Sequence, residues 1–497
     1  MLERIGRRLS DSSYAVPILF GLYAVLNLVV RLALPHGLRV DESQQVFLAQ
    51  WLAVGYDAQP PLYNWLQKAV FLLFPDPVLG LAVLKNLMLW AIFVTYHRLA
   101  RVVTGDGALA AIATFALLLT PQMFWQAQRD LTHTTGTLLL TNLLFLAIAA
   151  LVTRATLLRY LSLGAVIGLG MLTKYNFALA LPALAVAAIA SPEGRSRLLD
   201  WRILVSAALA VAIFAPHGFW ILDHLELATH SSIDKMAEDA ESQSRLGQIA
   251  AGLASLISTG AAIMAPSAIL IALLFVRELP RLRRGSSFWS RFLGIFMLAV
   301  VVELVMIVLL TTFTSARDRW LLPFVYVLPL YLAAKVGAVG LDSRVALRRL
   351  LPVILAAVLL IPVAHYVAGN KAGPTHYRQP YPGFAAQLTE TAGLEPALLV
   401  ADGWHQAGNL RSVFQHVPVY ATSSPNLMPE FNWTKDHPVV FVWRGENRQM
   451  PPEYRAFMTR MLGPTVDERP VVTLSLPVAG GKGDATEPFQ YIAVYPR

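Results

Sequence analysis

Residues 160–190 read YLSLGAVIGLGMLTKYNFALALPALAVAAIA, an apolar stretch whose one charge inside the run is Lys174. A helix rises 1.5 Å per residue and needs about 20 apolar residues to cross a hydrocarbon layer. The stretch is therefore long for one tilted span and short for two. Two spans, 160–173 and 176–190, put Lys174-Tyr175 at the outer tip of a helical hairpin, whereas a single span would invert everything downstream.

Charge decides between them. With the N-terminus inside, the inner loops carry Arg98 and Arg101, Arg154 and Arg159, Arg195, Arg197 and Arg202, the run from Arg277 to Arg291, and Arg344, Arg348 and Arg349. The opposite loops carry Asp41, Glu42, Asp57, Asp130, an acidic segment over 223–241, and Asp318. This is the positive-inside pattern, and it requires the hairpin. Working outward, the spans are 14–35, 78–97, 108–125, 135–152, 160–173, 176–190, 203–222, 249–276, 292–312, 321–340 and 350–369. The expected fold is an all-α polytopic membrane protein of about eleven transmembrane helices by the length rule. The apolar run from Tyr14 to Pro35 follows Arg4, Arg7 and Arg8 as in a signal peptide, but it is too long for one and is read as a retained first helix.

Composition agrees. The chain has 497 residues, 56% of them hydrophobic and 14% charged; soluble domains average about 45–50% and about 25%. Its net charge of +9 lies in short clusters between apolar runs, which fits topology control and excludes a nucleic-acid-binding surface. There is no cysteine, so disulfides and thiolate chemistry are excluded. Beyond residue 370 the chain becomes Pro-rich, with β-type runs at 397–400 (ALLV) and 439–443 (VVFVW). The expected organisation is a transmembrane module over 1–369 and a small extracytoplasmic α/β domain over 370–497.

The first outer loop, about 36–77, is too long for a simple connection. Apolar residues recur at helical spacing at Val46, Leu48, Trp51 and Leu52, and again at Leu62, Trp65, Leu66, Ala69 and Val70. Two amphipathic helices along the membrane interface are expected, separated by an extended break at Pro60-Pro61. Taken singly, Asp41-Glu42 reads equally well as a helix cap, Lys174 as a snorkelling side chain, and Arg317-Asp318-Arg319 as a solvated loop. Taken together, Asp41, Asp130, Lys174, Arg317 and Arg319 emerge on one side near helix ends. A carboxylate with several cations at membrane level suits a phosphate-bearing lipid substrate.

Five segments, in order, resemble the GT-C membrane glycosyltransferases, in the branch of the protein O-mannosyltransferases and the lipid A aminoarabinose transferase. They are Asp41-Glu42 after the first helix, GYDAQPPLYNWL (55–66), TPQMFWQAQRDLTHTTG (120–136), GLGMLTKYNFALALP (168–182) and TSARDRWLLPFVYVLPLYLA (314–333). The resemblance covers roughly residues 1–335. It implies transfer of a sugar, with inversion, from a polyprenyl-phosphate donor to a hydroxyl of an envelope acceptor: lipopolysaccharide core or lipid A, another glycan, or a protein. In that scheme Asp41 is the general base, and Lys174, Arg317 and Arg319 face the donor phosphate, Arg319 ahead of Arg317. Glu42, Gln59, Pro60, Pro61, Tyr63 and Asp130 line the acceptor and donor cavity. The expected place is a bacterial-type cytoplasmic (inner) membrane, crossed many times, with the active site and C-terminal domain on the periplasmic side. The family's His before the double proline is Gln59 here, and an amide is a weak ligand for a transition metal. No metal or other cofactor is assigned. The rival readings are a lipid-linked sugar flippase or transporter, and a non-catalytic envelope assembly protein. A transporter would place ionisable residues at mid-membrane, yet apart from Glu303 and Lys85 the spans are nearly clean.

Overall fold

The computed structural model describes residues 2–238, 243–371, 375–445, 449–463, 466–478 and 485–497; Asp239 and Glu241 of the acidic segment lie outside them. In chain order the helices are α1 (Leu2–Asp11), α2 (Ala15–Ala33), α3 (Val40–Leu48), α4 (Leu62–Leu73), α5 (Pro77–Thr104), α6 (Gly107–Leu118), α7 (His133–Thr153), α8 (Leu157–Met171), α9 (Ala180–Ile189), α10 (Pro192–Leu198) and α11 (Ile203–Asp223). They continue as α12 (Leu225–Met236), α13 (Arg245–Leu274), α14 (Leu279–Arg284), α15 (Phe288–Leu310), α16 (Asp318–Val325), α17 (Leu328–Val339), α18 (Ser343–Gly369), α19 (Tyr381–Ala386), α20 (Trp404–Val413) and α21 (Pro452–Phe457).

Among the described residues, eight helical segments are long and apolar enough to cross a membrane, and a ninth follows if Tyr175–Ile189 and Pro192–Leu198, bent by 119°, form one span. The expected eleven is reached only by adding the shorter apolar helices α6 and α8. The span expected over 108–125 is cut short. Its α-helix ends at Leu118, and Gln122–Gln126 forms a separate π-helical turn after Pro121, whose ring cannot extend the helix. The hairpin at 160–190 is present as α8 and α9, parted by Lys174 in an extended conformation.

The chain forms two compact units: residues 1–27, 57–63 and 85–362 in the first, and 28–56, 64–84 and 363–497 in the second. In the first unit close packing follows from small residues. Gly164 and Gly168 of α8 leave no room for a β-carbon against Ser206 and Ala210 of α11, and Ser206 Oγ donates to the Tyr160 carbonyl at 2.6 Å. Such small-xxx-small faces let helices meet where lipid supplies no hydrophobic drive.

In the second unit a sheet of six strands, β1 (Leu398–Ala401), β2 (Val419–Ala421), β3 (Val439–Arg444), β4 (Val466–Glu468), β5 (Val472–Pro477) and β6 (Thr486–Pro496), has the order β2-β1-β3-β6-β4, with β5 also on β6. The first three pair in parallel, and β6 runs antiparallel to β3, β4 and β5. Alternation along β1 and β3 divides the core by the two-residue period of a strand. Leu399, Ala401, Val440 and Val442 pack with Phe47 and Leu48 of α3, Phe384 of α19 and Leu410 of α20. Leu398, Val400, Val439 and Phe441 pack with Tyr454 and Phe457 of α21. Helix α3 thus spends its apolar residues on protein. Gly408 of α20 sits so close to the Ser43 carbonyl that no β-carbon would fit, and Gln50 bonds Val419 in both directions at 2.9 and 3.0 Å.

Candidate active site

In the first unit, three interruptions meet. Lys174, the extended residue between α8 and the following 3-10 turn, is buried. Its Nζ donates to Thr134 Oγ1 at 3.2 Å and to the Arg319 carbonyl at 3.3 Å. Asn176 Nδ2 donates to the Trp320 carbonyl at 2.8 Å, and Thr137 Oγ1 to Thr173 Oγ1 at 3.2 Å. The α8 break, the head of α7 and the start of α16 are thereby tied together. The double proline joins them through its first available donor: Leu62 N–H bonds the Leu172 carbonyl at 3.0 Å, and the Tyr63 ring lies 5.5 Å from that of His133. Of the residues read from the sequence, Lys174, Arg319, Tyr63 and the Gln59–Pro61 segment come to one place.

The arginines part company. Arg317 Nη2 bonds Glu238 Oε2 at 2.6 Å in a pair whose side chains are 39% and 53% exposed. The half-buried Arg319 guanidinium donates to no described residue, while its backbone N–H caps onto Asp318 Oδ1 at 2.7 Å. Gln59 has a buried Oε1 with no hydrogen-bond partner among the described residues. Asp130 stands in the turn before α7, its N–H on the Gln126 carbonyl at 2.8 Å. Sequence reasoning missed Thr134, Asn176 and His133. The THTTG string at the head of α7 was the available signal.

In the second unit, Asp41 and Glu42 occupy the first turn of α3. Glu42 is buried and doubly bound to Arg31, through Nε at 2.8 Å and Nη2 at 3.0 Å, and it accepts the Arg39 N–H at 3.0 Å. Arg31 also donates to the Gly37 carbonyl at 3.2 Å and lies 5.0 Å from the Tyr377 ring centre. Leu38 N–H bonds Asn409 Oδ1 of α20 at 2.9 Å. Glu42 is engaged in this fork-to-fork pair and in capping, and Asp41 beside it is half-buried.

Comparison with known proteins gives three findings. The dolichyl-phosphate-mannose-protein mannosyltransferase family matches over residues 58–220. The lipopolysaccharide core galacturonosyltransferases RgtB and RgtA of Rhizobium johnstonii are each 36% identical to this chain, over 95% of it and 96% of RgtB, and over 97% of it and of RgtA. The crystal structure of ArnT from Cupriavidus metallidurans bound to undecaprenyl phosphate superposes with a TM-score of 0.57 at 14% identity, over 95% of this chain and 97% of that one, and so shows the same fold. Sharing a third of its residues with both galacturonosyltransferases from end to end, the chain belongs to their family, the polyprenyl-phosphate-sugar-dependent glycosyltransferases of the GT-C superfamily.

Proposed function

We propose that this enzyme moves a uronic acid of the galacturonic type from a polyprenyl-phosphate donor to a hydroxyl of a lipopolysaccharide core, on the periplasmic face of the inner membrane. The sugar and acceptor follow from the activity named for the two full-length relatives. The observation that carries the chemistry is the buried Lys174 bound to the carbonyl of Arg319, a residue whose guanidinium has no protein acceptor among the described residues. Fixed cations in a site of low dielectric stabilise charge that develops on a departing phosphate.

In the reaction, the acceptor oxygen attacks the anomeric carbon from the face opposite the phosphate, and Asp41 takes the hydroxyl proton. The bond from the anomeric carbon to the phosphate oxygen breaks, and its electron pair leaves with the lipid phosphate held by Lys174 and Arg319. Because the leaving group is already an acidic phosphate, no second carboxyl is needed to protonate it, unlike in glycoside hydrolysis. Gln59 Oε1 offers an acceptor to a donor-sugar hydroxyl. The test uses purified protein in nanodiscs with polyprenyl-phosphate galacturonic acid and lipopolysaccharide core. Asp41→Asn should slow transfer by roughly 10²–10⁴-fold with the melting temperature unchanged. Transfer at the wild-type rate would remove Asp41 from its role.

A further inference from the structure

The parallel strands carry a crevice outside the reaction just described. From β1 the chain crosses through α20 on the face of Leu399 and Val440, whereas the connection from β2 to β3 lays Met428, Phe431 and Trp433 on the opposite face. With β1 between β2 and β3, the two crossovers diverge, and among the described residues the carboxyl ends of β1 and β3 open into a cleft. Such a topological switch point is where open α/β sheets bind ligands. A cleft of about 730 Å³ lies there, lined by Asp402 and Gly403 after β1, His405 in the first turn of α20, Arg444 ending β3 and Gly445 after it, and Glu487 on β6. Its volume falls within the 300–1,000 Å³ usual for small-molecule sites.

The cleft is built. Arg444 pairs with Glu487 and lies 5.8 Å from the ring centres of both Tyr381 and Phe489, and its buried Nε has no partner among the described residues. Gly445, at φ +110°, is held by its own N–H on the Pro488 carbonyl at 3.2 Å and by Gln490 Nε2 on its carbonyl at 2.6 Å. Gln490 is fully buried, with its Oε1 unpartnered among the described residues. His405 Nε2 lies 3.3 Å from the Leu38 carbonyl, a contact that requires its proton and leaves Nδ1 to accept. Burial, then His376, lowers the His405 pKa to about 4, so the ring is neutral at pH 7. Among the described residues the lining therefore carries two carboxylates against one guanidinium. That balance disfavours phosphates and uronates, and the scarcity of apolar side chains disfavours lipid.

We infer that this crevice binds a neutral saccharide of the acceptor glycan, with Asp402, Glu487 and Arg444 bridging neighbouring hydroxyls. The inference rests on the reading of a glycan acceptor, but its test does not depend on turnover. Full-length protein in nanodiscs is titrated, by calorimetry and ligand-observed NMR, with the neutral fraction of lipopolysaccharide core oligosaccharide, with free galacturonate and with inorganic phosphate. Wild type should bind the neutral oligosaccharide in preference to both anions. Gly403→Phe should weaken that binding at least ~10-fold by filling the cleft, because Gly403 is extended and the nearest foreign atom to a β-carbon there is Ser423 Oγ at 3.8 Å. Gly403→Phe should melt at the wild-type temperature, so that its lost affinity reports the filled cleft. Preference for either anion, absence of saccharide binding, or unchanged affinity in Gly403→Phe would each overturn the proposal. Binding without any sugar transfer would fault the catalytic reading alone.

Discussion

The first unit presents its cations at breaks in helices, whereas the second presents its acid on an unbroken one. Lys174 and Arg319 stand where α8 ends and α16 begins, with Lys174 fixed by bonds to the Thr134 hydroxyl and the Arg319 carbonyl. Asp41 stands at the head of α3, fixed because the neighbouring Glu42 is locked to Arg31 and because α3 packs on α20. Chain breaks expose backbone donors and acceptors that can grip long cationic side chains. A short carboxylate has little reach, so its backbone must be placed instead.

That contrast can be broken experimentally. The largest expected effect is in the second unit: Glu42→Gln leaves the buried Arg31 guanidinium uncompensated, which costs about 3–5 kcal/mol. A drop in melting temperature with loss of transfer is expected, and unchanged melting would show that α3 does not rely on the pair. In the first unit, Lys174→Gln keeps the backbone geometry while removing charge, so transfer should fall roughly 10²–10³-fold with stability nearly intact. An equal loss of stability would erase the distinction between the two units. Acid sharpens it next. The folded-state pKa of His405 is lowered from 6.5 to about 4, so the unfolded chain binds that proton first. Stability is complete above pH 6.5 and is lost as pH falls toward 4, by an amount on the order of 2–3 kcal/mol. Asp402, whose pKa burial raises, acts in the opposite sense at the acid end of that window. Thermal melts at stepped pH should show the decline in wild type and a flatter profile in His405→Gln. The smallest effect belongs to Arg317→Ala, since its pair with Glu238 is exposed and such pairs contribute about 0–1 kcal/mol. Transfer within about threefold of wild type is expected, and a loss as large as that of Lys174→Gln would return Arg317 to the phosphate site.

Hydropathy located the apolar helices, because lipid imposes length and composition on each span. It overran at 108–125, where Pro121 stops the helix inside a run that stays apolar. The strands at 397–400 and 439–443 were readable from β-branched and aromatic residues, but the long β6, TEPFQYIAVYP, was not singled out. Lys174 and Arg319 stood out as charges beside apolar helices. The division between Arg317 and Arg319 was hidden, because Glu238 lies 79 residues away in sequence. The seating of α3 was equally hidden: the bond between Leu38 and Asn409 spans 371 positions, which no local periodicity reports.

Phe47, Leu48 and Tyr56 share one core with Leu399 and Val440. A chimera that swaps only the segment after residue 370 would give the grafted sheet a foreign helix to wrap, with Gly408 facing a mismatched Ser43 carbonyl. An intact transplant carries 28–56 and 64–84 along with 363–497. The sheet and the acid-bearing loop must then be inherited together, and a single recombination point between them parts the sheet from the helix it packs on.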